Sequence, residues 1–231
     1  MSENKAKLLD GADKFWKRKD LAFAVHDVMM NRSEGLAKDI DTILGESLDG
    51  KSVLDLGCGG GRIFLLYDIP RYHGVDQSKN MLDIAEEECA KIACKREEAS
   101  KTTSDDFSSA YEIKLDFAHS DLMNFHTDES FDVVLLLNVM QHVHNPIELL
   151  EHTLSFSSGI YIIEFFLNTA DRTQYHNTST GTTSVSRPRA FVDKVVTVME
   201  DKGLATAILV SSPVNTNVAP VFVAGWANDP A

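Results

Sequence analysis

The fold is decided by residues 52–61, whose sequence is Ser52-Val53-Leu54-Asp55-Leu56-Gly57-Cys58-Gly59-Gly60-Gly61. The first half is a short apolar run, which predicts a buried strand. Gly57, Gly59 and Gly61 then predict a tight turn into a helix, because glycine adopts backbone angles that side chains forbid. Such a turn lets the backbone approach a ligand closely, but a strand–helix turn without a ligand has the same signature. The stretch alone leaves both interpretations open.

Strand and helix patterns alternate along the rest of the chain. Six more segments have the short apolar character of strands: 72–76, 114–119, 131–137, 159–164, 205–210 and 221–226. Helices are predicted at 80–95, 146–154 and 188–203, and the last two strands are expected to pair antiparallel. This alternation predicts an α/β fold with a Rossmann-like, doubly wound seven-stranded sheet, mostly parallel with an antiparallel terminal strand and helices on both faces.

The composition narrows the class of protein. The length of 231 residues, of which 43% are apolar, suits one α/β domain. The formal net charge of −13 disfavours general nucleic-acid binding and binding to anionic membranes, since both require basic surfaces. Three cysteines form no disulfide framework, and the first nine residues lack the apolar core of a signal peptide. We therefore expect a cytoplasmic enzyme without a membrane-spanning segment.

Two segments outside the regular alternation are expected to shape a substrate pocket. Residues 1–50 have two apolar stripes at helical spacing, one around Trp16 and one from Leu36 to Leu44, and predict a helical cap on a domain of residues 51–231. Residues 168–189 are rich in Thr, Ser and Asn and predict a long irregular loop. Its Arg187 and Arg189 could hold a carboxylate or phosphate, while a solvated loop explains the composition equally well.

Two aspartates follow strands on the expected ligand-binding edge of the sheet, the carboxyl ends of the strands. Asp76 ends the second strand, fifteen residues after Gly61, where a carboxylate can accept hydrogen bonds from both hydroxyls of a ribose. Asp121 follows the third strand, where it can accept from an adenine amino group. The alternatives are that Asp76 caps the helix after Ser78 and that Asp121 is an ordinary loop residue.

Taken together, these segments resemble class I S-adenosylmethionine (SAM)-dependent methyltransferases, in particular the small-molecule branch. The matching motifs are the glycine-rich 53–61, the ribose motif 74–78 with Met81-Leu82, the adenine motif 120–122, and the fourth-strand motif 131–134 with Asn138 and 141–143. The resemblance covers residues 50–165 strongly and the remainder by topology. One departure is that only ten residues separate Gly61 from Tyr72, which predicts an unusually short first helix.

The resemblance implies SAM as cofactor and assigns roles to the matching residues. The backbone at Gly57 and Gly59 would hold the methionine part of SAM, and Asp76 would bind the ribose. Met81 and Leu122 would pack against adenine. The full set of cofactor positions is Asp55, Gly57, Cys58, Gly59, Gly61, Asp76, Gln77, Met81, Ser120, Asp121, Leu122 and Asn138. Within this set, Asp55 would order the loop and Asn138 would lie near the sulfonium.

Methyl transfer from a sulfonium depends mainly on holding acceptor and methyl in line. A base is needed only where the acceptor must lose a proton, and His142, just beyond the fourth strand, is the candidate base, with a structural histidine at a helix start as the alternative. Glu164, at the end of the fifth strand, is a second candidate catalytic residue, which could orient a substrate or hydrogen-bond a neighbouring loop. His142, His144 and His152 lack the carboxylate partner of a metal site, so no metal is expected.

The sequence leaves the methyl acceptor open. We expect a small molecule methylated on oxygen or nitrogen. A tRNA or protein acceptor is the alternative, favoured if Lys17, Arg18, Lys19 and Arg32 form a basic patch, and a non-catalytic SAM-binding partner subunit is another. A nicotinamide-binding fold is disfavoured because its glycines are spaced G-x-G-x-x-G, whereas this chain has G-x-G-x-G. The oligomeric state has no signal in the sequence.

Overall fold

The computed structural model describes residues 26–27, 30–31, 33–103, 112–177, 183–212 and 217–227. The five helices of these ranges are α1 (Ser33–Leu44), α2 (Arg62–Leu66), α3 (Lys79–Thr103), α4 (Pro146–Thr153) and α5 (Arg189–Asp201). The nine strands are β1 (Ser52–Leu56), β2 (Arg71–Asp76), β3 (Lys114–His119), β4 (Ser130–Leu136), β5 (Ser157–Asn168), β6 (Gln174–Asn177), β7 (Thr183–Arg187), β8 (Leu204–Val210) and β9 (Val218–Ala227). A single turn of 3-10 helix, Leu122–Asn124, follows β3.

Seven strands form the predicted sheet, in the order β3-β2-β1-β4-β5-β9-β8. The first five run parallel, while β9 pairs antiparallel with both β5 and β8. The switch in strand order lies between β1 and β4, and ligands of doubly wound sheets bind beside such a switch. The predicted α/β class and the antiparallel terminal pairing are confirmed.

Two apolar layers cover the sheet, as predicted for strands buried on both faces. One face packs against α1, α2 and α3 through residues such as Ile40, Phe64 and Leu82. The opposite face packs against α4 and α5 through residues such as Leu150 and Val195. The central strands β1 and β4 lie between these layers, which explains their nearly continuous apolar sequences.

The prediction of an irregular loop at 168–189 is wrong, and two strands beyond the predicted seven lie there. β5 continues to Asn168, and β6 and β7 form an antiparallel hairpin that joins the sheet through parallel pairing of Phe166 with Ser186 and Leu167 with Arg187. Thr and Ser suit strands as well as loops, and here the long β5 offers a free edge beyond the end of β4. The described residues therefore form a nine-stranded sheet.

Helix boundaries differ most from the sequence predictions in α3, which runs to Thr103 rather than Lys95. α4 and α5 lie within two residues of their predicted bounds, and the five-residue α2 confirms the short first helix. α1 carries the second predicted stripe, with Leu36 and Ile40 buried, and it ends before Gly45, whose φ is 72°. None of the helices in the described ranges is long and apolar enough to cross a membrane.

The apolar stripe around Trp16 and the basic residues 17–19 and Arg32 lie outside the described residues. The division of the chain at residue 50 into a cap and a main domain stays a prediction. The part of the segment that is described, α1, packs into the same apolar layer as α2 and α3.

Candidate functional site

The carboxyl ends of the parallel strands bring the predicted site residues to one edge of the sheet. Leu56 pairs with Val75, Val75 with Ala118, and Leu136 with Ile163. The residues that follow these pairs therefore lie side by side. They are Gly57 after β1, Asp76 at the end of β2, Ser120 and Asp121 after β3, Asn138 after β4, and Glu164 on β5.

The glycine turn after β1 is held tightly against its neighbours. Gly57, Gly59 and Gly61 all have positive φ, at 80°, 55° and 74°. The backbone N–H groups of Gly57 and Cys58 both donate to the carbonyl of Val75, at 2.7 and 3.0 Å. A Cβ on Gly57 would lie 2.3 Å from Cγ2 of Val139. The turn after β4 therefore packs directly onto the glycine turn, and only glycine fits at position 57.

Two side chains from other elements pack against the rest of this turn. A Cβ on Gly61 would lie 2.5 Å from Sγ of Cys89, and one on Gly60 would lie 2.2 Å from Nδ1 of His26. The N-terminal segment thus contacts the glycine turn through His26, whose pKa burial lowers. Cys58 is buried, and burial raises the pKa of its thiol. A thiol held in that state is a packing group rather than a nucleophile.

The Asp76 carboxylate joins β2 to the glycine turn. Its Oδ2 accepts from the N–H of Gly59 at 2.9 Å, and its Oδ1 accepts from the N–H of Ser78 at 2.8 Å. Burial raises the pKa of Asp76, while these two backbone donors act against that rise. An ionised carboxylate has about four lone-pair sites. The N–H groups of Gly59 and Ser78 use two of them, and the backbone of Gln77 also donates to this carboxylate, so a site remains for a further donor such as a hydroxyl.

Asp55 is the buried acid of β1. Its side chain is 3% exposed, and the hydroxyl of Tyr72 donates to its Oδ2 at 2.6 Å. Burial raises the pKa of Asp55 to about 6, against the effects of the Tyr72 hydrogen bond and the Arg62 charge. The side chain therefore links β1 to β2 beneath the surface, where it can order the glycine turn.

The residues predicted around the adenine lie at the ends of β2 and β3. Met81 is buried, and its Cε lies 3.3 Å from where a Cβ on Gly59 would be. Leu122 is half-buried, and Asp121 is exposed and accepts from the N–H of Met123 at 2.8 Å. Asp121 therefore caps the 3-10 turn with Oδ1, as in the loop alternative, and this leaves Oδ2 for a ligand.

Ser120 and Gln77 connect the ends of β2 and β3. The N–H of Ser120 donates to the carbonyl of Asp76 at 3.1 Å, and Nε2 of His119 lies 3.0 Å from the carbonyl of Gln77. The side chain of Gln77 is exposed. Both residues contribute to the edge through their backbone.

A chain of polar side chains spans the ends of β4 and β5. Glu164 is 4% exposed, and its Oε2 accepts from Nδ2 of Asn138 at 2.6 Å. Oδ1 of Asn138 in turn accepts from Nε2 of Gln141 at 3.1 Å. Asn138 has a φ of 58°, a left-handed conformation that asparagine tolerates better than most residues. Burial raises the pKa of Glu164 to about 7. Glu164 thus lies beneath the surface and acts on the edge through Asn138.

Arg62, the first residue of α2, has no predicted role but governs the charge of the site. Its charge lowers the pKa of both Asp55 and Glu164. The sequence signal that indicates Arg62 is its position directly after the glycine turn, because the two acids in the buried strands require a nearby cation. Gln141 belongs to the 141–143 part of the fourth-strand motif, and a buried glutamine has no distinct sequence signature.

The hairpin of β6 and β7 forms a wall above the turn after β4. The N–H of Val185 donates to the carbonyl of Gln141 at 3.0 Å. His142 follows, half-buried, with its N–H donating to the carbonyl of Val139 at 2.8 Å. His144 is exposed. Within the described ranges, no three His, Cys, Asp or Glu side chains are arranged to hold a metal ion.

The family of the chain follows from its match to a family model. Residues 30–205 match the family described as a methyltransferase domain. The chain belongs to this methyltransferase family. A search of curated protein sequences gives no significant match. The resemblance noted in the sequence is therefore confirmed at the level of the family.

Solved methyltransferase structures share the fold of this methyltransferase. The magnesium protoporphyrin IX methyltransferase ChlM from Synechocystis PCC 6803 with bound SAH is 18% identical, with a TM-score of 0.57 over 85% of this chain and 82% of that one. The DhpI–SAH complex is 14% identical, with a TM-score of 0.57 over 94% and 96% of the two chains. The N-methyltransferase NodS from Bradyrhizobium japonicum WM9 in complex with SAH is 12% identical, with a TM-score of 0.55 over 85% and 87%. At these identities the likeness is one of fold.

Proposed function

We propose that this methyltransferase transfers the methyl group of SAM to an oxygen or nitrogen atom of a small-molecule acceptor. One observation carries the proposal: the carboxylate of Asp76 is held against the left-handed glycine turn by the N–H of Gly59. A ribose-binding carboxylate and a backbone that admits a ligand are thereby combined at the switch in strand order, where ligands of such sheets bind. The likeness to structures solved with SAM or SAH supports this cofactor.

The residues at the ends of β1, β2 and β3 would hold the cofactor. The backbone of Gly57 to Gly61 would contact the methionine part of SAM, and Asp76 would accept from its ribose hydroxyls. Met81 and Leu122 would pack against the adenine, and Asp121 would accept from its amino group. Asn138, whose side chain is hydrogen-bonded to Glu164 and Gln141, would lie near the sulfonium.

The proposed entrance for the methyl acceptor lies beside the turn after β4 and the hairpin bonded to it. His142 takes a proton from the acceptor where one must leave, because a histidine titrates near neutral pH. Glu164 is a positioning residue, since its buried carboxylate accepts from Asn138 and acts on the site through that side chain. Holding acceptor and methyl in line supplies most of the acceleration.

Two features support a small acceptor. The hairpin closes one side of the entrance through the Val185–Gln141 hydrogen bond. The net charge of −13 opposes the approach of a polyanion such as tRNA. Cys58 and Cys89 are buried free thiols, and the reducing cytoplasm, where thiols persist, is the compartment we propose.

Transfer of label from methyl-labelled SAM tests the reaction and its acceptor class together. The enzyme is incubated with the small-molecule, RNA and protein fractions of a cell extract, and D76N, which lacks the proposed ribose-binding charge, serves as the control. We expect label in the small-molecule fraction with the natural chain and less label with D76N. Label in RNA or protein would contradict the acceptor class. SAM binding without transfer to any fraction would favour a non-catalytic subunit.

A further inference from the structure

Arg187, at the end of β7, carries its positive charge next to a buried guanidinium nitrogen, Nε. This atom is buried and has no hydrogen-bond partner among the described residues. No described carboxylate lies within ion-pair distance of its guanidinium, whose central carbon lies 5.1 Å from the centre of the Phe191 ring. Burial lowers the pKa of Arg187, and no neighbouring charge contributes to that change. The ring face offsets only part of the hydration that the cation loses.

The position of Arg187 places it beside the entrance for the acceptor. β5 pairs with β9 along one of its edges. Along the other edge, β5 pairs with β4 up to Ile163 and with β7 from Phe166 onward. β7 therefore lies directly beyond the end of β4. Val185 and Arg187 point to the same face of β7, because side chains alternate along a strand.

Gln141 provides a second unmatched polar group at the same place. It is 1% exposed, and its Oε1 has no hydrogen-bond partner among the described residues. The orientation of its amide follows from the chain of bonds: a carboxylate oxygen of Glu164 accepts from Asn138, so Asn138 offers Oδ1 to Nε2 of Gln141. Oε1 of Gln141 and Nε of Arg187 thus both lack a hydrogen-bond partner among the described residues. The turn after β4 and strand β7, which carry them, are joined by the hydrogen bond from the N–H of Val185 to the carbonyl of Gln141.

We propose that Arg187 binds an anionic group, a carboxylate or a phosphate, of the methyl acceptor. The inference rests on the proposed function, since it defines the acceptor class of that same site. A guanidinium matches both oxyanions through paired N–H donors. A chain with a net charge of −13 repels small anions, so an anionic acceptor requires a dedicated cation. Oε1 of Gln141 then accepts from an O–H or N–H of the same acceptor.

Binding of small probes to the full chain saturated with S-adenosylhomocysteine tests this inference. The Nε–H resonance of Arg187, assigned by its loss in R187K, is followed in ¹⁵N-correlated NMR spectra. The probes are benzoate, phenyl phosphate and the neutral benzamide. We expect benzoate or phenyl phosphate to shift the resonance saturably and benzamide to leave it unchanged, and the two anions distinguish a carboxylate site from a phosphate site.

Variants separate a binding role from a packing role. R187Q is expected to weaken binding of the preferred anion about tenfold or more, the scale of a lost charge-assisted hydrogen bond. The matched control R189Q changes an exposed arginine two residues away and should leave that binding unchanged. If R187Q fails to fold, R187K, which keeps the charge but not the planar fork, is expected to weaken binding by a smaller factor.

The inference is overturned if neither anion binds, if benzamide binds equally well, or if the Arg187 and Arg189 variants behave alike. S-adenosylhomocysteine binding is measured in the same samples. Failure of S-adenosylhomocysteine to bind contradicts the proposed function. Normal S-adenosylhomocysteine binding without anion selectivity contradicts only the role of Arg187.

Discussion

The carboxylate of Asp76 accepts a hydrogen bond from the backbone N–H of Gly59, seventeen residues earlier in the chain, at 2.9 Å. This bond makes the end of β2 and the glycine turn after β1 a single unit. In the proposed complex, one side of that unit faces the ribose and the other faces the methionine part of SAM. The position of the reactive methyl therefore depends on both strands at once.

The close approach of Gly57 to Val139 predicts a specific loss of stability in Gly57→Ala. The left-handed conformation costs an alanine about 1–2 kcal/mol, and the clash with Cγ2 of Val139 adds about 1–3 kcal/mol of overpacking. Gly203→Ala is the matched control, because Gly203 has φ 81° but nothing lies within 4 Å of the place a Cβ would take there. Urea unfolding of the two variants measures the difference.

The double variant G57A/V139A isolates the clash. V139A removes Cγ2 and with it the clash. G57A should therefore cost less stability in the V139A background than in the natural chain, and the loss that remains is the cost of the left-handed backbone conformation. Equal stabilities of G57A and G203A would show that Val139 does not press on the glycine turn.

The buried carboxyl of Glu164 predicts a pH dependence of stability. Its pKa is about 7 in the folded chain, whereas the ordinary pKa of a glutamate, which applies to the unfolded chain, is 4.5. Between these values the folded state binds more protons, so this contribution to the free energy of unfolding is fully present below pH 4.5 and falls as pH rises through about 7. E164Q removes this ionisable group. The fall in the free energy of unfolding with rising pH should therefore be smaller in E164Q than in the natural chain, by about 1–3 kcal/mol.

Asp55, whose pKa is about 6, contributes a similar trend in both proteins, so the difference between natural chain and variant isolates Glu164. Unfolding in urea from about pH 5 to about pH 8 provides the measurement. E151Q, which changes an exposed residue of α4, is the control and should keep the slope of the natural chain. A slope in E164Q equal to that of the natural chain would mean that Glu164 is ionised throughout.

The position of His142 on the turn after β4 predicts a role in turnover. If it takes the acceptor's proton, H142A should lower kcat by about 10²- to 10⁴-fold and leave the dissociation constant of SAM unchanged. H144A, two residues away, is the control. Unchanged turnover in H142A would remove the proposed base and leave positioning alone as the source of acceleration.

The parallel core could be predicted from local sequence because each strand has a short apolar run and a distinct end. Gly57 to Gly61 and Asp76 are read directly from the sequence, since their chemistry depends on residue type and on their distance from a strand. Residues 174–187 could not be placed in this way. Their Thr- and Ser-rich sequence suits a loop or a strand, and the edge of β5 that selects the strand is provided by residues far away in the chain.

The polar chain at the site shows a second limit. Glu164 and Asn138 were recognised as strand-end residues, but their direct contact and the link to Gln141 depend on the register of β4 against β5. The sequence predicts Arg187 in a loop. Its burial and the lack of a partner for its Nε among the described residues arise only when β7 joins the sheet.

Isothermal titration of SAM into the natural chain, D76A and the control D201A tests the central claim most directly. Asp201 is an exposed residue at the end of α5, so D201A should bind as the natural chain does. D76A should lose about 1.5–3 kcal/mol of binding free energy, the scale of hydrogen bonds to a charged group. No binding of SAM to the natural chain at millimolar concentration, or equal binding by D76A, would contradict the account.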